Sequence, residues 1–253
     1  MSVTVVVHKD AALLAEAVAA RLLTRLVDAQ AQRGRASVVL TGGGIGIAAL
    51  EAVRRAPARA AVDWSRVDVW WGDERFVEAD SAERNEVQAR RALLDALELD
   101  PARVHPIGAL GGPDGKDVDA AADRYAGELL RAAAPEHDVP LFDVLLLGMG
   151  PEGHVASIFP EAPAAYDDRT AFGVHGCPKP PPMRVTLGFR AIQEAREVWV
   201  VAAGAEKATA AAMALAGAGQ VQVPAAGAHG RQQTLWLLDE AAASALPRSL
   251  RRL

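Results

Sequence analysis

One stretch of this chain, FDVLLLGMGPEGHVASIFP at residues 142–160, constrains the fold more than any other. Its apolar run at residues 144–147 is typical of a strand buried on both faces, as in a parallel sheet covered by helices. Glycines follow, where the backbone must turn sharply. His154 comes directly after that turn, and ligands of open α/β sheets bind at the carboxyl ends of the strands. The stretch therefore predicts an α/β fold with a titratable group at its binding edge.

Short apolar runs alternate with amphipathic helices along the rest of the chain. Further strands are predicted at residues 3–7, 37–40, 67–71, 185–187, 198–202 and 235–238. Helices are predicted from the N-cap Asp10 to residue 32, and at residues 82–97 and 118–133. The segment between residue 160 and the strand at 185–187 reads as irregular. Because α/β folds of 253 residues are commonly undivided, one domain is expected over residues 1–253.

A glycine-rich loop follows the second predicted strand and leads into a helix. Thr41 is followed by Gly42, Gly43, Gly44 and, one residue later, Gly46. Backbone N–H groups at such a helix N-terminus bind phosphate, and the Thr41 hydroxyl could add a donor. A tight turn would also use glycine, but four glycines in five positions exceed what a turn needs. The loop is not a Walker motif, since no Gly-Lys-Ser/Thr follows.

Three cations occupy positions that suit an anionic ligand. Arg75 follows the strand at residues 67–71, within the charged run Asp73, Glu74 and Arg75, and its guanidinium can hold a phosphate bidentately. Arg184 is delivered into a strand by a proline-rich segment. Lys207 lies in the first turn of a predicted helix, where the dipole disfavours a cation unless an anion binds there. A solvated loop and an exposed lysine are the alternative interpretations of Arg75 and Lys207.

His154 and Glu152 form the candidate catalytic pair. A neutral imidazole can take a proton from water, and a neighbouring carboxylate can fix its tautomer and stabilise the imidazolium. A satisfied structural histidine is the alternative. The remaining histidines show no metal-ligand spacing, so no metal site is predicted; they are His8, His105, His137, His175 and His229.

The motif GMGPEG also matches the dinucleotide fingerprint G-x-G-x-x-G through Gly148, Gly150 and Gly153. That fingerprint requires a full helix and a second strand before the ribose-binding acid. Pro160 and Pro163 leave too little room for them. The match is therefore interpreted as coincidental, and no dinucleotide cofactor is expected.

Net charge and cysteine content indicate which partners and which cellular compartment suit this chain. A net charge of −5 argues against nucleic acid or a membrane surface as the principal partner, since both attract a dense cationic face. Cys177 is the single cysteine, so no internal disulfide can form and a reducing compartment is expected. The N-terminal apolar run reaches a charge after seven residues, too short for a signal peptide. A cytoplasmic location is predicted.

Five segments occur in the order found in one family: LTGGG at 40–44, WWGDERFV at 70–77, LLGMGPEGHVASIFP at 146–160, PPPMRVTL at 180–187 and GAEKA at 204–208. Together they resemble the 6-phosphogluconolactonase family over nearly the whole chain. The resemblance implies an α/β, Rossmann-like three-layer sandwich with a mostly parallel sheet, shared with glucosamine-6-phosphate deaminases.

The same resemblance implies hydrolysis of 6-phospho-D-glucono-1,5-lactone to 6-phospho-D-gluconate, the second step of the oxidative pentose phosphate pathway, without a cofactor. His154 would activate the attacking water. The glycine loop, Arg75, Arg184 and Lys207 would hold the 6-phosphate. The partner would be the small-molecule lactone alone, on a monomer or weak homodimer.

The chain departs from the family pattern at two positions. Glu152 stands where Asp is usual, which lengthens the carboxylate by one methylene. Ile45 stands where a hydroxyl or amide residue is common, so backbone amides would carry more of the phosphate contact.

Two other functions remain open from the sequence. An amino-sugar 6-phosphate deaminase or isomerase would share the fold, and Asp73 aligns with the base of such enzymes. Those enzymes resemble GHIAFNEP after the glycine turn, whereas this chain reads GHVASIFP, which favours hydrolysis. A non-catalytic sugar-phosphate sensor would usually carry a DNA-binding module, and no spare segment supplies one.

Overall fold

The computed structural model describes residues 2–250, and a six-stranded parallel sheet lies at its centre. The spatial order of the strands is β1-β9-β8-β5-β2-β3. Their bounds are β1 Ser2–His8, β2 Ala36–Leu40, β3 Val67–Trp71, β5 Val144–Gly148, β8 Glu197–Ala202 and β9 Gln233–Asp239. The apolar run of β5 is buried, as the sequence predicts for a strand covered on both faces. The predicted α/β fold class with a mostly parallel sheet is confirmed.

A second, antiparallel sheet has the order β4-β7-β6 and was not predicted as a unit. Its strands are β4 Asp73–Arg75, β6 Ala171–Val174 and β7 Arg184–Leu187. Only β7 was expected. The sequence analysis predicted no strand at β4, where a solvated loop was the alternative interpretation, and predicted irregular chain at β6, which was wrong. Two short strands of three and four residues carry too little alternation to be recognised, and their partner β7 is distant in sequence.

Six α-helices connect or flank the strands. They are α1 Ala11–Arg33, α2 Gly44–Arg55, α3 Asn85–Ala92, α4 Val118–Ala132, α5 Phe189–Ile192 and α6 Ala208–Leu215. The long first helix is confirmed: Asp10 accepts a hydrogen bond from the amide of Leu13, and Gly34 ends the helix in the left-handed conformation. The third helix is shorter than the predicted 82–97. Its start is set at Asn85 by a buried carboxylate described below.

Chain direction across the sheet reverses between β2 and β5. From β2 the chain moves outward to β3 at the edge, then returns to β5 on the other side of β2. Loops leaving adjacent parallel strands in opposite directions open a crevice at their carboxyl ends. The glycine loop follows β2 and the turn that carries His154 follows β5, so this topology brings the two motifs together.

None of the helices within residues 2–250 combines the length and apolar character required to cross a bilayer.

One buried hydrogen-bonded pair ties α4 to β3 and predicts a measurable stability difference. The Tyr125 hydroxyl accepts from the Trp71 amide at 3.0 Å and donates to the Trp71 carbonyl oxygen at 2.9 Å. Tyr125→Phe leaves both backbone groups buried without that partner, and we expect the free energy of unfolding to fall by about 1–3 kcal/mol. Urea denaturation measures it. Tyr166→Phe is the control, since Tyr166 is 69% exposed; equal stability of the two variants would contradict the prediction.

Candidate active site

A cavity of about 520 Å³ lies at the carboxyl ends of β2, β5 and β8, with β4 and β7 of the small sheet on its other side. It brings together nearly all the residues that the sequence singled out. Those lining it are Thr41, Gly42, Gly43, Gly44, Asp73, Arg75, His154, Arg184 and Lys207. Glu152 is absent from the lining and lies behind the imidazole of His154.

Glycine is required at different positions of the loop for different structural reasons. Gly43 has a φ of 83°, and a Cβ at Gly42 would lie 2.0 Å from Asn85 Oδ1. A Cβ at Gly46 would lie 2.9 Å from the Thr41 carbonyl oxygen. A Cβ would meet nothing within 4 Å at Gly43 or at Gly44, the first residue of α2, so at Gly43 the positive φ alone favours glycine. Part of the glycine excess is therefore required by packing, while the first amides of α2 remain without helical acceptors at the cavity.

Thr41 links the two strands that flank the crevice. Its Oγ1 accepts a hydrogen bond from the amide of Gly148 at 3.1 Å and lies 3.4 Å from the carbonyl oxygen of Gly42. The hydroxyl thus joins the end of β2 to the end of β5. Its side chain is engaged in this link, whereas the sequence had suggested a donor to the ligand.

A tight turn after β5 presents His154 to the cavity. Gly150 donates its amide to the His154 carbonyl oxygen at 2.9 Å, and Gly153 donates to the Gly150 carbonyl oxygen at 3.0 Å. The imidazole stacks on Phe159, with ring centroids 4.2 Å apart and planes inclined by 23°. A Cβ at Gly150 would lie 1.9 Å from His154 Nδ1. The turn and the ring therefore fix the imidazole in one position. No full helix follows β5 before Pro160, so this turn lacks the helix that the dinucleotide fingerprint requires.

Burial and charge act in opposite directions on the imidazole. The side chain of His154 is 17% exposed, and its burial lowers the pKa below the ordinary 6.5 although the Glu152 carboxylate opposes this. Glu152 Oε1 lies 3.3 Å from His154 Nδ1. Nδ1 nevertheless has no hydrogen-bond partner within residues 2–250. The result is an imidazole held neutral next to a carboxylate.

Glu152 itself is stabilised as an anion. Partial burial raises the pKa of its carboxyl group, but a hydrogen bond from its own backbone amide and one from Lys179 outweigh that effect. The net pKa is below the ordinary value. Glu152 is therefore ionised at neutral pH.

Asp73 is buried and has polar partners on both carboxylate oxygens. Ser157 Oγ donates to Oδ2 at 2.6 Å, and Asn85 Nδ2 donates to Oδ1 at 3.2 Å. Arg184 Nη1 lies 3.9 Å from Oδ2. These contacts join the small sheet, α3 and the turn after β5, and they place Asp73 in a structural network at the cavity wall.

A neighbouring carboxylate, Glu74, sets the start of α3. It accepts the amides of Arg75 at 2.8 Å, Asn85 at 2.7 Å and Glu86 at 2.9 Å, and Arg84 Nη2 lies 3.7 Å away. Burial raises the pKa of Glu74 to about 7, against the opposing effects of Arg84 and the three amides. The first turn of α3, and with it Asn85, is therefore fixed by direct contact with a residue of β4.

The three predicted cations all reach the cavity but differ in how free they are. Arg75 donates to the Glu83 carbonyl oxygen, and its buried Nε lacks a partner within residues 2–250. Arg184 is 5% exposed and donates to carbonyl oxygens of the loop before β7. Burial lowers the pKa of Lys207, whose Nζ lies 3.8 Å from Glu206 Oε1. Arg75 and Lys207 thus have the most unused donor capacity.

Three polar residues of the cavity were not singled out from the sequence: Asn85, Lys179 and Glu206. Asn85 was assigned to a scaffold helix, and Lys179 lay unremarked in the proline-rich segment. A sequence signal existed for Glu206, which lies within GAEKA, and for Lys179, which directly precedes PPPMRVTL; both segments were quoted for the family resemblance. Asn85 had none, since its position depends on the contact between α3 and Glu74.

Within residues 2–250 there is no group of three or more His, Cys, Asp or Glu side chains arranged to hold a metal ion.

Comparison with known proteins places the chain in a family. The model of the family described as glucosamine-6-phosphate isomerases/6-phosphogluconolactonase matches residues 9–236. A 6-phosphogluconolactonase of Streptomyces coelicolor is 62% identical over 97% of this chain and 95% of its own length. One of Mycobacterium tuberculosis is 50% identical over 98% of this chain and 100% of its own.

Solved structures agree with the sequence comparison. The 6-phosphogluconolactonase of Trypanosoma brucei superposes with a TM-score of 0.81 at 28% identity, covering 97% of this chain and 99% of that one. A monomeric glucosamine-6-phosphate deaminase has a TM-score of 0.77 at 18% identity over 97% of this chain and 100% of its own, which shows the shared fold alone. The chain therefore belongs to the glucosamine-6-phosphate isomerase/6-phosphogluconolactonase family and is, within it, a hydrolase of the 6-phosphogluconolactonase type.

Proposed function

We propose that this enzyme hydrolyses 6-phospho-D-glucono-1,5-lactone to 6-phospho-D-gluconate, with His154 as the general base. The observation that carries the proposal is a buried imidazole of lowered pKa in the same cavity as a glycine loop and three cations. A neutral base and an anion site are the two elements that hydrolysis of a phosphorylated lactone requires. The names of relatives that match over nearly the full chain support the same substrate.

The phosphate is proposed to bind between the first turn of α2 and the cations. Gly43 and Gly44 lie at the start of α2, where the first backbone amides of a helix have no helical acceptors and the partial positive charge of the helix N-terminus favours an anion. Arg75 and Lys207 add charge from the two sides. Arg184 contributes less, because carbonyl oxygens already occupy two of its nitrogens.

The chemical step requires one proton to move twice. The water oxygen bonds to the lactone carbonyl carbon while Nε2 of His154 accepts a water proton; Nδ1 faces Glu152. The bond from that carbon to the ring oxygen then breaks. The imidazolium returns its proton to the ring oxygen, and the new carboxylic acid ionises. Glu152 stabilises the transient imidazolium, which forms 3.3 Å away.

Asp73 is proposed to position Asn85 and Arg184 and to take no proton in the reaction. A deaminase would require a free carboxylate at this point, whereas both oxygens of Asp73 have donors. An assay for ammonia from glucosamine 6-phosphate is expected to be negative.

Replacement of the base tests the proposal directly. For His154→Ala we expect the enzymatic rate on freshly generated lactone to fall by about a hundredfold to ten-thousandfold, the usual contribution of a general base. The rate is measured against spontaneous opening without protein. His137→Ala, at an exposed histidine outside the cavity, is the control and should retain wild-type activity. An active His154→Ala enzyme would refute the base assignment.

The pH profile tests the protonation state of His154. Because the base must be neutral, activity should be lost as the pH falls through the imidazole pKa. Burial lowers that pKa, so the midpoint of the acid limb of kcat/KM should lie below 6.5. Steady-state kinetics from about pH 4.5 to about pH 8 measure this midpoint. A midpoint above 6.5 would count against a neutral, buried base.

Gly150→Ala tests whether the imidazole must stay where the turn holds it. The added Cβ would overlap His154 Nδ1 and lie 2.6 Å from Glu152 Oε2, so the ring must move. A displacement of about 1 Å can cost on the order of a hundredfold in rate. Gly127→Ala in α4 is the control, because its Cβ meets nothing within 4 Å and alanine favours the helix. Equal activity of both variants would show that the ring position is unimportant.

A further inference from the structure

Lys179 makes contacts that no role in phosphate binding explains. Its Nζ lies 2.9 Å from Oε1 and 3.1 Å from Oε2 of Glu152, so it binds both oxygens of the carboxylate that faces His154. The same ammonium lies 5.8 Å from the ring centroid of Phe159, on which His154 stacks. Lys179 thus touches both groups that hold the imidazole.

The loop that carries Lys179 is fixed to the cavity wall. Cys177 donates its amide to the Pro182 carbonyl oxygen at 2.8 Å. Arg184 Nη2 donates to the Lys179 carbonyl oxygen at 3.0 Å, and its Nε donates to that of Pro181 at 3.3 Å. Because Arg184 is itself buried beside Asp73, the backbone of Lys179 is anchored through a guanidinium that belongs to the site. The ammonium therefore has a defined place even though its side chain is 44% exposed.

Several charges act on the imidazole, and those of Glu152 and Lys179 have the largest effects on its pKa. Glu152 lies 3.3 Å from Nδ1 and favours the protonated ring, and Lys179 disfavours it both directly and by neutralising that carboxylate. Asp73 on β4 favours protonation more weakly. The other charged groups of the cavity are Arg75 on β4, Arg184 on β7, and Glu206 and Lys207 before α6.

The Glu152 carboxylate, 3.3 Å from the ring and acting alone, would strongly favour protonation of the His154 imidazole. An opposite charge within 4–6 Å commonly moves a pKa by about 1–3 units. Such an upward shift would leave His154 largely protonated near neutral pH and unable to accept a proton from water. The position of Lys179 removes that conflict, because it allows a carboxylate to stand behind the ring without its full charge.

We propose that Lys179 is a positioning residue for the reaction: it holds the Glu152 carboxylate behind His154 and balances its charge, so that the ring is oriented yet remains unprotonated. This inference rests on the proposed function, in which His154 is the base. The pair Lys179–Glu152 then acts as one unit, ready to stabilise the imidazolium only when it forms.

NMR titration of the His154 ring in the ligand-free protein tests the electrostatic part without any assay of turnover. For Lys179→Met we expect the imidazole pKa to rise by on the order of one unit. Lys179→Arg restores the charge and should leave the pKa near that of the wild type. Lys116→Met, at an exposed lysine outside the cavity, controls for loss of a charge elsewhere.

A double-mutant cycle separates action through Glu152 from direct repulsion. If Lys179 acts through the carboxylate, Lys179→Met in a Glu152→Gln background should shift the imidazole pKa by less than half of its effect in the wild type. An equal shift in both backgrounds, or no shift in either, would overturn the proposal.

Kinetics complete the test. In Lys179→Met the acid limb of kcat/KM should move upward with the ring pKa, with kcat at high pH reduced less than tenfold because the base is still present. A raised KM with an unmoved acid limb would instead identify Lys179 as a substrate contact and refute the positioning role. If the ring titrates as expected while wild-type protein fails to hydrolyse the lactone, the proposed function fails and the electrostatic coupling stands.

Discussion

The site depends above all on the parallel pairing of β2 with β5, strands separated by about a hundred residues in the chain. That pairing places the glycine loop and the His154 turn at the same end of the sheet. The bond from the Gly148 amide to Thr41 Oγ1 then fixes the two strand ends relative to each other. Because the chain leaves β2 and β5 in opposite directions, no connection covers the crevice between them, and a ligand can enter it.

A buried polar network joins this crevice to the small sheet. Asp73 and Glu74 are adjacent in sequence but bind different groups. Asp73 accepts hydrogen bonds from the side chains of Ser157 and Asn85. Glu74 accepts hydrogen bonds from its neighbour's backbone amide and from two amides at the start of α3. Burying carboxylates is costly unless hydrogen bonds compensate, and here those bonds also place Asn85 and Arg184. These hydrogen bonds connect β4, α3 and the turn after β5 along the cavity wall.

Opposing electrostatic effects meet at His154. Burial against Phe159 favours the neutral ring, the carboxylate of Glu152 favours the charged one, and Lys179 offsets the carboxylate. Glu152 is one methylene longer than the residue usual in the family, and the longer side chain still brings its oxygen within 3.3 Å of the ring. Lys179 contacts both oxygens of this carboxylate, including the one that faces the ring. Orientation and a low pKa are thus obtained together, which a carboxylate acting alone would not allow.

The sequence by itself determined the fold class, the boundaries of the long first helix and the buried strands, because apolar periodicity and capping residues are local signals. It also singled out the glycine loop, Arg75, Lys207 and His154, since each follows a buried strand and the ends of parallel strands converge. Arg184 was singled out because a proline-rich segment leads it into a strand. Only the tertiary structure decided the small antiparallel sheet, the start of α3 at Asn85 and the contact of Lys179 with Glu152. These features depend on pairing between segments that are far apart in the chain. The positions of Asn85 and Lys179 are set by contacts with such distant segments, so the local sequence does not predict them.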